Sequence, residues 1–294
     1  MCIAKTVSEL KILLDGDNRK LKTVGFIPTM GYLHEGHESL IKAARENNEL
    51  VVVSVFVNPK QFGPNEDYER YPRDIEKDYI RARAAGADIL FYPEINEIYI
   101  PEFSSVVEVK GGMTDKLCAI TRPFHFKGVT TVVTILLNII RPDRAYFGQK
   151  DLQQAAIIKK MVRDLHIPVE IVVCPIIREA DGLALSSRNM YLNHQERKQA
   201  VSIYRGLKKA QEYLKTGNVY CTQSATLIGI IQKEIEKEPL AVIEYIEILE
   251  ESDFSRIQKI EPYHRAFAAV AVLFGQTRLI DNMILSLGGE REWK

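Results

Sequence analysis

The chain has little that would tie it to an oxidising compartment, a nucleic acid or a membrane. Its four cysteines, Cys2, Cys118, Cys174 and Cys221, lie far apart with no Cys-x-x-Cys pair. That spacing argues against a disulfide framework and against a structural zinc site. Neither sign of charge is in excess, with 39 Lys and Arg against 39 Asp and Glu, so no global basic field points to nucleic acid and no acidic tail points to disorder. The run Ile135 to Ile140 is broken by Asn138 and falls far short of the roughly 20 apolar residues that span a bilayer. The N-terminus has no long apolar signal core. We expect a cytoplasmic protein without nucleic-acid or membrane partners. Repeats, low-complexity tracts and Pro/Gly/Ser linkers are missing as well, so the whole chain should fold. There is no Gly-x-x-x-x-Gly-Lys-Ser/Thr, no Gly-x-Ser-x-Gly, and no Gly-x-Gly-x-x-Gly in the first glycine loop. Walker-type phosphate binding and a serine nucleophile on an elbow are thereby excluded.

What is present is an alternation. Apolar runs rich in β-branched residues stand at Val24–Ile27, Leu50–Val57, Ile89–Tyr92, Ala145–Phe147 and Val169–Val173, each preceded by a helical pattern. That order predicts a parallel sheet covered by helices, an α/β architecture. Val129–Ile140 is rich in strand-favouring residues, yet Val129, Val132, Val133, Leu136, Leu137 and Ile140 keep a three-and-four spacing, so it is expected to be helical. Ala155, Ile158, Val162 and Leu165 mark the next helix, ended by His166-Ile167-Pro168. Beyond about Pro175 the pattern becomes α+β: helices near His194–Lys215 and Thr222–Glu236, then strands near Ala241–Leu249, Ala266–Phe274 and Arg278–Met283. With 294 residues, 46% of them apolar, two domains are expected, 1–175 and 176–294. Asn58–Arg73 lacks periodicity and reads as a long loop beside a strand end, where lids occur.

Five segments carry candidate chemistry. Pro28-Thr29-Met30-Gly31-Tyr32-Leu33-His34-Glu35-Gly36-His37 lies between a strand and a helix expected at Ser39–Asn47, so a helix begun near Gly36 would aim unpaired amides and its positive dipole end at a phosphate. The bland alternatives are a polar surface loop and a metal site, but metalloprotease histidines need a spacing of four. Asn58-Pro59-Lys60-Gln61-Phe62 offers two side-chain amides or an ordinary turn. Phe147-Gly148-Gln149-Lys150-Asp151-Leu152-Gln153-Gln154 brings Lys150 to phosphate and Asp151 to ribose hydroxyls; a solvated helix start describes Gln153 better than Lys150. Asp181-Gly182-Leu183-Ala184-Leu185-Ser186-Ser187-Arg188-Asn189 puts two hydroxyls and a guanidinium on a glycine-containing loop. Thr121-Arg122-Pro123-Phe124-His125-Phe126-Lys127-Gly128 carries three cations, for an anionic substrate or a helix cap. Together these are donors, suited to negative charge developing on phosphate.

His34-Glu35-Gly36-His37 and Leu185-Ser186-Ser187-Arg188 resemble the two signatures of nucleotidyltransferases related to class I aminoacyl-tRNA synthetases. Within that group Pro28-Thr29-Met30-Gly31, Phe56-Val57-Asn58-Pro59, Gln61-Phe62, Arg70-Tyr71-Pro72-Arg73, Phe147-Gly148, Lys150-Asp151, Asp181-Gly182-Leu183-Ala184 and Thr277-Arg278-Leu279-Ile280-Asp281-Asn282 are similar to the pantoate–β-alanine ligase family. The resemblance implies a Rossmann-like sheet domain holding nucleotide and pantoate, and a smaller C-terminal α+β domain covering the active site. It implies that ATP and pantoate give pantoyl adenylate and pyrophosphate, after which β-alanine displaces AMP to give pantothenate, a coenzyme A precursor. By position, Met30, Gly31, Tyr32, Leu33, His34, Glu35, Gly36 and His37 would lie along the adenylate, with His37 donating a proton. Lys150, Ser186, Ser187 and Arg188 would hold the transferring phosphates beside Leu185. Gly148 and Asp151 would take the ribose, Gln149 would belong to the ATP-binding set, and Ile177 would face adenine. Gln61 and Gln154 would bind pantoate, Gln61 also lying near β-alanine, while Arg122 and His125 would line the same cleft. Gly63 to Arg73 would close as a lid. Mg²⁺ would ride on the ATP phosphates, Asp78 being a candidate metal contact, and the family resemblance alone suggests a homodimer.

Three positions depart from the family pattern: Gln149 for the usual glutamate, Lys60 for methionine or a small residue, and Phe124 for a smaller residue. The substrate carboxylate is already ionised at neutral pH, so the first step needs no general base. The sequence does not show which group takes the proton of the β-alanine amine. Two other readings stay open at this point, another adenylyl or cytidylyl transferase and a nucleotide-binding regulatory module without turnover.

Overall fold

The computed structural model describes residues 1–15, 22–64, 66–216, 221–262 and 264–287. Contacts divide the chain into two units, one of Met1–Thr114, Cys118–Gly148 and Gln153–Cys174, the other of Asp115–Leu117, Gln149–Leu152 and Pro175–Lys294.

In the first unit the chain runs β1 (Cys2–Ala4), α1 (Val7–Asp15), β2 (Val24–Thr29), α2 (Glu35–Asn47), β3 (Leu50–Val55), α3 (Ile75–Ala85), β4 (Ile89–Phe91), the single turns α4 (Ile95–Ile98) and α5 (Cys118–Thr121), α6 (His125–Ile140), β5 (Arg144–Gly148), α7 (Leu152–Asp164) and β6 (Glu170–Cys174). The six strands pair in parallel in the order β1-β4-β3-β2-β5-β6. From β2 the chain first builds outward through β3 and β4, then crosses back to β5 and β6. The sheet therefore has its topological switch point between β2 and β5, where open α/β sheets bind ligands at the carboxyl ends of their strands.

Strand periodicity sorts the core onto two faces. Phe26, Val52, Ile89, Phe91, Ala145 and Phe147 pack with Leu10, Leu14 and the α6 stripe Val129, Val132, Val133, Leu136, Leu137 and Ile140. Their neighbours in sequence, Ile27, Val51, Val53, Leu90 and Tyr146, pack with Leu40, Ile41 and Ala44 of α2 and Ala82 and Ala85 of α3. The helix expected at Val129–Ile140 begins earlier, at His125, and the one read over Ser39–Asn47, with its start near Gly36, begins at Glu35. Leu50–Val57 is shorter than expected because the strand stops at Val55. β1 escapes any periodicity argument, since three residues hold no period; pairing with β4 at the sheet edge defines it.

In the second unit the chain runs α8 (His194–Ala200), α9 (Ser202–Thr216), β7 (Thr222–Gln223), α10 (Ser224–Ile235), β8 (Ala241–Glu250), β9 (Lys259–Ile260), β10 (Ala266–Phe274) and β11 (Thr277–Leu285); an antiparallel sheet is ordered β11-β10-β8, and β7 pairs separately with β9. The helix expected over His194–Lys215 is two helices, divided at Val201, whose N–H turns to Gln199. Gly206 lets α9 and α10 approach closely, since a Cβ there would stand 3.1 Å from the Ile231 carbonyl oxygen. Ala268, Val270, Val272 and Phe274 of β10 join Leu207, Leu227 and Ile231 in one core.

Candidate active site

The turn after β2 is strained and pinned. Gly31 and Tyr32 both have positive φ, 87° and 53°, a conformation costing a tyrosine about 1–3 kcal/mol. Asp78 from α3 holds it: its carboxylate accepts the N–H of Tyr32 at 3.0 Å and of Leu33 at 2.6 Å. A Cβ on Gly31 would stand 2.9 Å from that carboxylate and 2.8 Å from Val55. Asp78 is buried, and burial raises its carboxyl above the usual range although both amides oppose the shift. Each oxygen of Asp78 accepts one main-chain amide, which gives this side chain a positioning role. Leu33 contributes its side chain to the core.

His34 is the N-cap of α2. Its Nδ1 accepts the Gly36 N–H at 3.1 Å, and the His34 N–H donates to His37 Nδ1 at 3.3 Å, a capping box made from two imidazoles. The rings are 4.1 Å apart. Because each Nδ1 accepts, the neutral rings carry their protons on Nε2. Sequence reasoning aimed main-chain amides at the phosphate; the His34 carbonyl takes the N–H of His37 and Glu38, so the imidazole Nε2–H groups are the donors this turn builds. Glu35 lies exposed at the first helical position.

At the end of β3, Asn58 caps a short 3₁₀ turn, Pro59–Gln61. The buried Asn58 amide donates to Gln61 Oε1 and to the Gly128 carbonyl, both at 3.1 Å, and accepts from the Tyr99 hydroxyl at 2.7 Å. Burial pushes that hydroxyl far above its ordinary pKa, with the Asn58 hydrogen bond opposing, so Tyr99 stays a donor. Gln61 Nε2 points at the Met30 sulfur, 2.7 Å away. Its carbonyl meets His125 Nδ1 at 2.9 Å and Arg122 Nη2 at 3.5 Å. The Arg122 guanidinium grips Glu66 at 2.8 and 2.5 Å. Burial opposes ionisation of Glu66, but the Arg122 hydrogen bond and charge outweigh it and hold the carboxyl below the usual range. The expected lid segment is thus tied to Arg122, between α5 and α6, at Glu66, and Tyr71 within it is buried.

Gln153 departs from expectation. It is buried, accepts the Cys118 N–H at 3.0 Å and donates to the Met113 carbonyl at 2.7 Å, so it is an internal brace. Gln154, next to it, is half-buried.

In the second unit Lys150 lies 3.7 Å from Asp151, and Gln149 exchanges hydrogen bonds with Asn282. Ile177 to Asn189 forms a small hairpin: the Leu185 N–H bonds the Ile177 carbonyl at 3.0 Å, and Arg178 bridges Ala184. Gly182 has φ 100°, and a Cβ there would stand 2.0 Å from the Tyr204 ring. Ser186 caps the 3₁₀ turn Ser187–Tyr191, its hydroxyl accepting the Arg188 N–H. Ser186, Ser187 and Arg188 are all half-exposed at the hairpin's end.

Among the described residues no group of three His, Cys, Asp or Glu side chains could hold a metal ion, and no helix is long and apolar enough to cross a membrane. A family model described as pantoate–β-alanine ligase matches residues 2–284. The chain belongs to the pantoate–β-alanine ligase family. The pantothenate synthetase of Acetivibrio thermocellus is 48% identical over 287 residues, covering 98% of this chain and all of that one. Among solved structures, pantothenate synthetase from Thermus thermophilus superposes with a TM-score of 0.91 at 42% identity, covering 97% of this chain and 100% of that one. The Francisella tularensis pantoate–β-alanine ligase, solved with a β,γ-ATP compound and β-alanine, gives 0.78 at 34% identity over 97% of each chain. Three contributors to this ligase's local geometry escape sequence reasoning: Asp78 as an amide anchor, Tyr99 behind Asn58, and Gly128. A Cβ on Gly128 would stand 2.2 Å from the Lys60 carbonyl oxygen. All three act through contacts remote in sequence, and only the glycine leaves a local trace.

Proposed function

We propose that this pantoate–β-alanine ligase works in two half-reactions. The pantoate carboxylate attacks the α-phosphorus of ATP, the bond to the bridging oxygen breaks and pyrophosphate leaves. The amine of β-alanine then attacks the acyl carbon of pantoyl adenylate, loses a proton and expels AMP. The first step needs charge neutralisation and no base, because the nucleophile is already an anion. The observation that carries this reading is the imidazole capping box. It fixes two uncharged Nε2–H donors at the carboxyl end of β2, beside the sheet's switch point, where a polyphosphate would meet them.

In this reading His34 and His37 hydrogen-bond the phosphates through their Nε2–H groups, His37 sharing its proton with the phosphate without transferring it. Lys150, Ser186, Ser187 and Arg188 take the negative charge of the transferring phosphates, and Met30 to His37 line the adenylate. Gly148 and Asp151 take the ribose, Gln149 stands beside Lys150 in the ATP-binding set, and Ile177 and Leu185 border the adenine and phosphates. Gln61, buttressed by Asn58, and Gln154 bind pantoate. Residues 1–175 supply the nucleotide and pantoate elements, and 176–294 the Ser-Ser-Arg hairpin. The described residues offer no protein cage for Mg²⁺, so we assign Mg²⁺ to the substrate MgATP complex, where it neutralises phosphate charge. Homodimeric assembly rests on the family resemblance, and a cytoplasmic location on the short apolar runs and scattered cysteines of the sequence.

The deciding experiment is a product assay with ATP, pantoate and β-alanine. The expected result is pantothenate with AMP and pyrophosphate in equal amounts, AMP appearing only when all three are present. Pyrophosphate release that leaves the nucleotide in a stable conjugate would overturn the ligase mechanism, and ATP binding without pantoate-dependent pyrophosphate exchange would overturn adenylation.

A further inference from the structure

Strand β11 carries two adjacent buried polar residues, Asp281 and Asn282, that the reaction scheme does not use. Each holds a different phosphate-binding segment. The Asn282 side-chain NH₂ donates to the Gln149 carbonyl at 2.9 Å and the Lys150 carbonyl at 3.1 Å, while its Oδ1 accepts from Gln149 Nε2 at 3.2 Å. Both amide hydrogens are thereby used on one turn, and the Gln149 side chain fixes which way the amide faces. The Asp281 carboxylate forms a two-point pair with Arg178, at 2.6 and 2.9 Å, and accepts the Asn282 N–H at 2.7 Å. Arg178 in turn donates to the Gly182 carbonyl at 3.1 Å and lies over the Tyr204 ring, 4.4 Å from its centre. Arg178 stands at the foot of the hairpin that ends in Ser186, Ser187 and Arg188.

We propose that Asp281 and Asn282 are positioning residues that set the spacing between Lys150 and the Ser186–Arg188 turn, so that both act on one polyphosphate. Successive residues of a strand point to opposite faces, so a single dipeptide ties two segments to one rigid element. This rests on the phosphate role given to Lys150 and the Ser-Ser-Arg turn. A misplacement of roughly 1 Å in such a donor set costs about 10²-fold in rate. Asn282→Asp keeps the side-chain shape but sets a carboxylate oxygen against two carbonyl oxygens.

The test measures two half-reactions on the intact enzyme: pantoate-dependent exchange of pyrophosphate into ATP, and consumption of synthetic pantoyl adenylate by β-alanine, which involves no pyrophosphate. For Asn282→Asp we expect kcat for exchange to fall about 100-fold, with the second half-reaction within about threefold of the parent. Gln149→Met removes the donor that orients Asn282 together with any nucleotide contact of Gln149, so it is read as kcat at saturating ATP, which should fall by about tenfold and keeps the test open if Asn282→Asp folds poorly. Lys150→Ala is run beside them. If Lys150→Ala exchanges at the parental rate, the phosphate role itself is wrong. If Lys150→Ala is impaired while Asn282→Asp and Gln149→Met exchange normally, the positioning role fails. Equal loss of both half-reactions in folded Asn282→Asp also overturns it, since that is general structural damage.

Discussion

Replacing Gly128 by alanine tests the substrate end of the site through a single methyl group. The added Cβ would stand 2.2 Å from the Lys60 carbonyl oxygen, 2.5 Å from its carbon and 2.7 Å from the Gln61 Cα, where ordinary contact begins near 3.4 Å. All three are main-chain atoms, so the Pro59–Gln61 turn must retreat by about 1.2 Å. That retreat carries Gln61 away from Met30 and stretches the Asn58 to Gly128 hydrogen bond. Alanine gains up to about 1 kcal/mol in helix propensity, and overpacking costs about 1–3 kcal/mol, so the variant should fold with stability lowered by about 0–3 kcal/mol. If Gln61 binds pantoate as proposed, its displacement by about 1 Å should lower kcat/KM for pantoate about 100-fold. The KM for ATP should hardly change, because the histidine capping box is closed by atoms of the His34–His37 turn itself. Pantoate-dependent pyrophosphate exchange at saturating ATP reads the pantoate constants and an ATP titration the other, with circular dichroism and thermal melting as fold controls. Gly229→Ala in α10 has no atom within 4 Å of the new Cβ and should melt higher with unchanged kinetics. A Gly128→Ala enzyme whose kcat/KM for pantoate stays within about threefold of the parent would refute the reasoning.

Four further outcomes follow from the same geometry. His37→Ala removes one Nε2–H donor and the acceptor of the His34 N–H, and adenylate formation in single-turnover assays should slow about 10²-fold or more; a parental rate would remove His37 from the mechanism. Asp78→Asn leaves one of two main-chain amides facing an NH₂ group, so it should destabilise by about 1–3 kcal/mol in denaturant melts. Because burial raises the Asp78 carboxyl, ionisation costs stability as pH rises through its native pKa, and the variant's stability should lack that decline. Glu234 is held at about 2 by hydrogen bonds from Lys209 and Lys237, against its burial; the stability it adds is present above about pH 4.5 and is lost as pH falls toward 2. With both lysines exposed, screening leaves about 1 kcal/mol, so Glu234→Gln should flatten the acid limb of the melting curve by that amount. Glu66 is likewise held ionised by Arg122, its contribution present above its unfolded pKa and fading below it. Glu66→Gln should therefore speed limited proteolysis between residues 63 and 73 near neutral pH and remove its acceleration in acid.

Several features of the fold are legible in the sequence because they depend on local patterns. The apolar spacing of Val129 to Ile140 identifies α6 despite its β-branched residues, since length and a three-and-four stripe outweigh composition. The strands after which Met30, Asn58 and Gln149 stand are visible as short β-branched runs. The helix N-terminus is legible in place, near Gly36, but not in construction: a histidine capping box is outside the usual Ser/Thr/Asp/Asn set, so the sequence does not show that two imidazoles close it. Gln153 is misread because a helix start looks solvated from sequence, whereas Met113 and Cys118 enclose this one.

By itself the sequence determined the alternation that makes a parallel sheet, the family, and the residue types proposed to meet phosphate, because periodicity, glycine placement and motif spacing are encoded over a few neighbouring residues. Only the tertiary structure decided what holds those residues. Asp78 reaches back 45 residues to the Leu33 amide, and Asn282 reaches 132 residues to the Lys150 carbonyl. A buried polar side chain must find a partner wherever the packed chain brings one, and no local pattern records where that is.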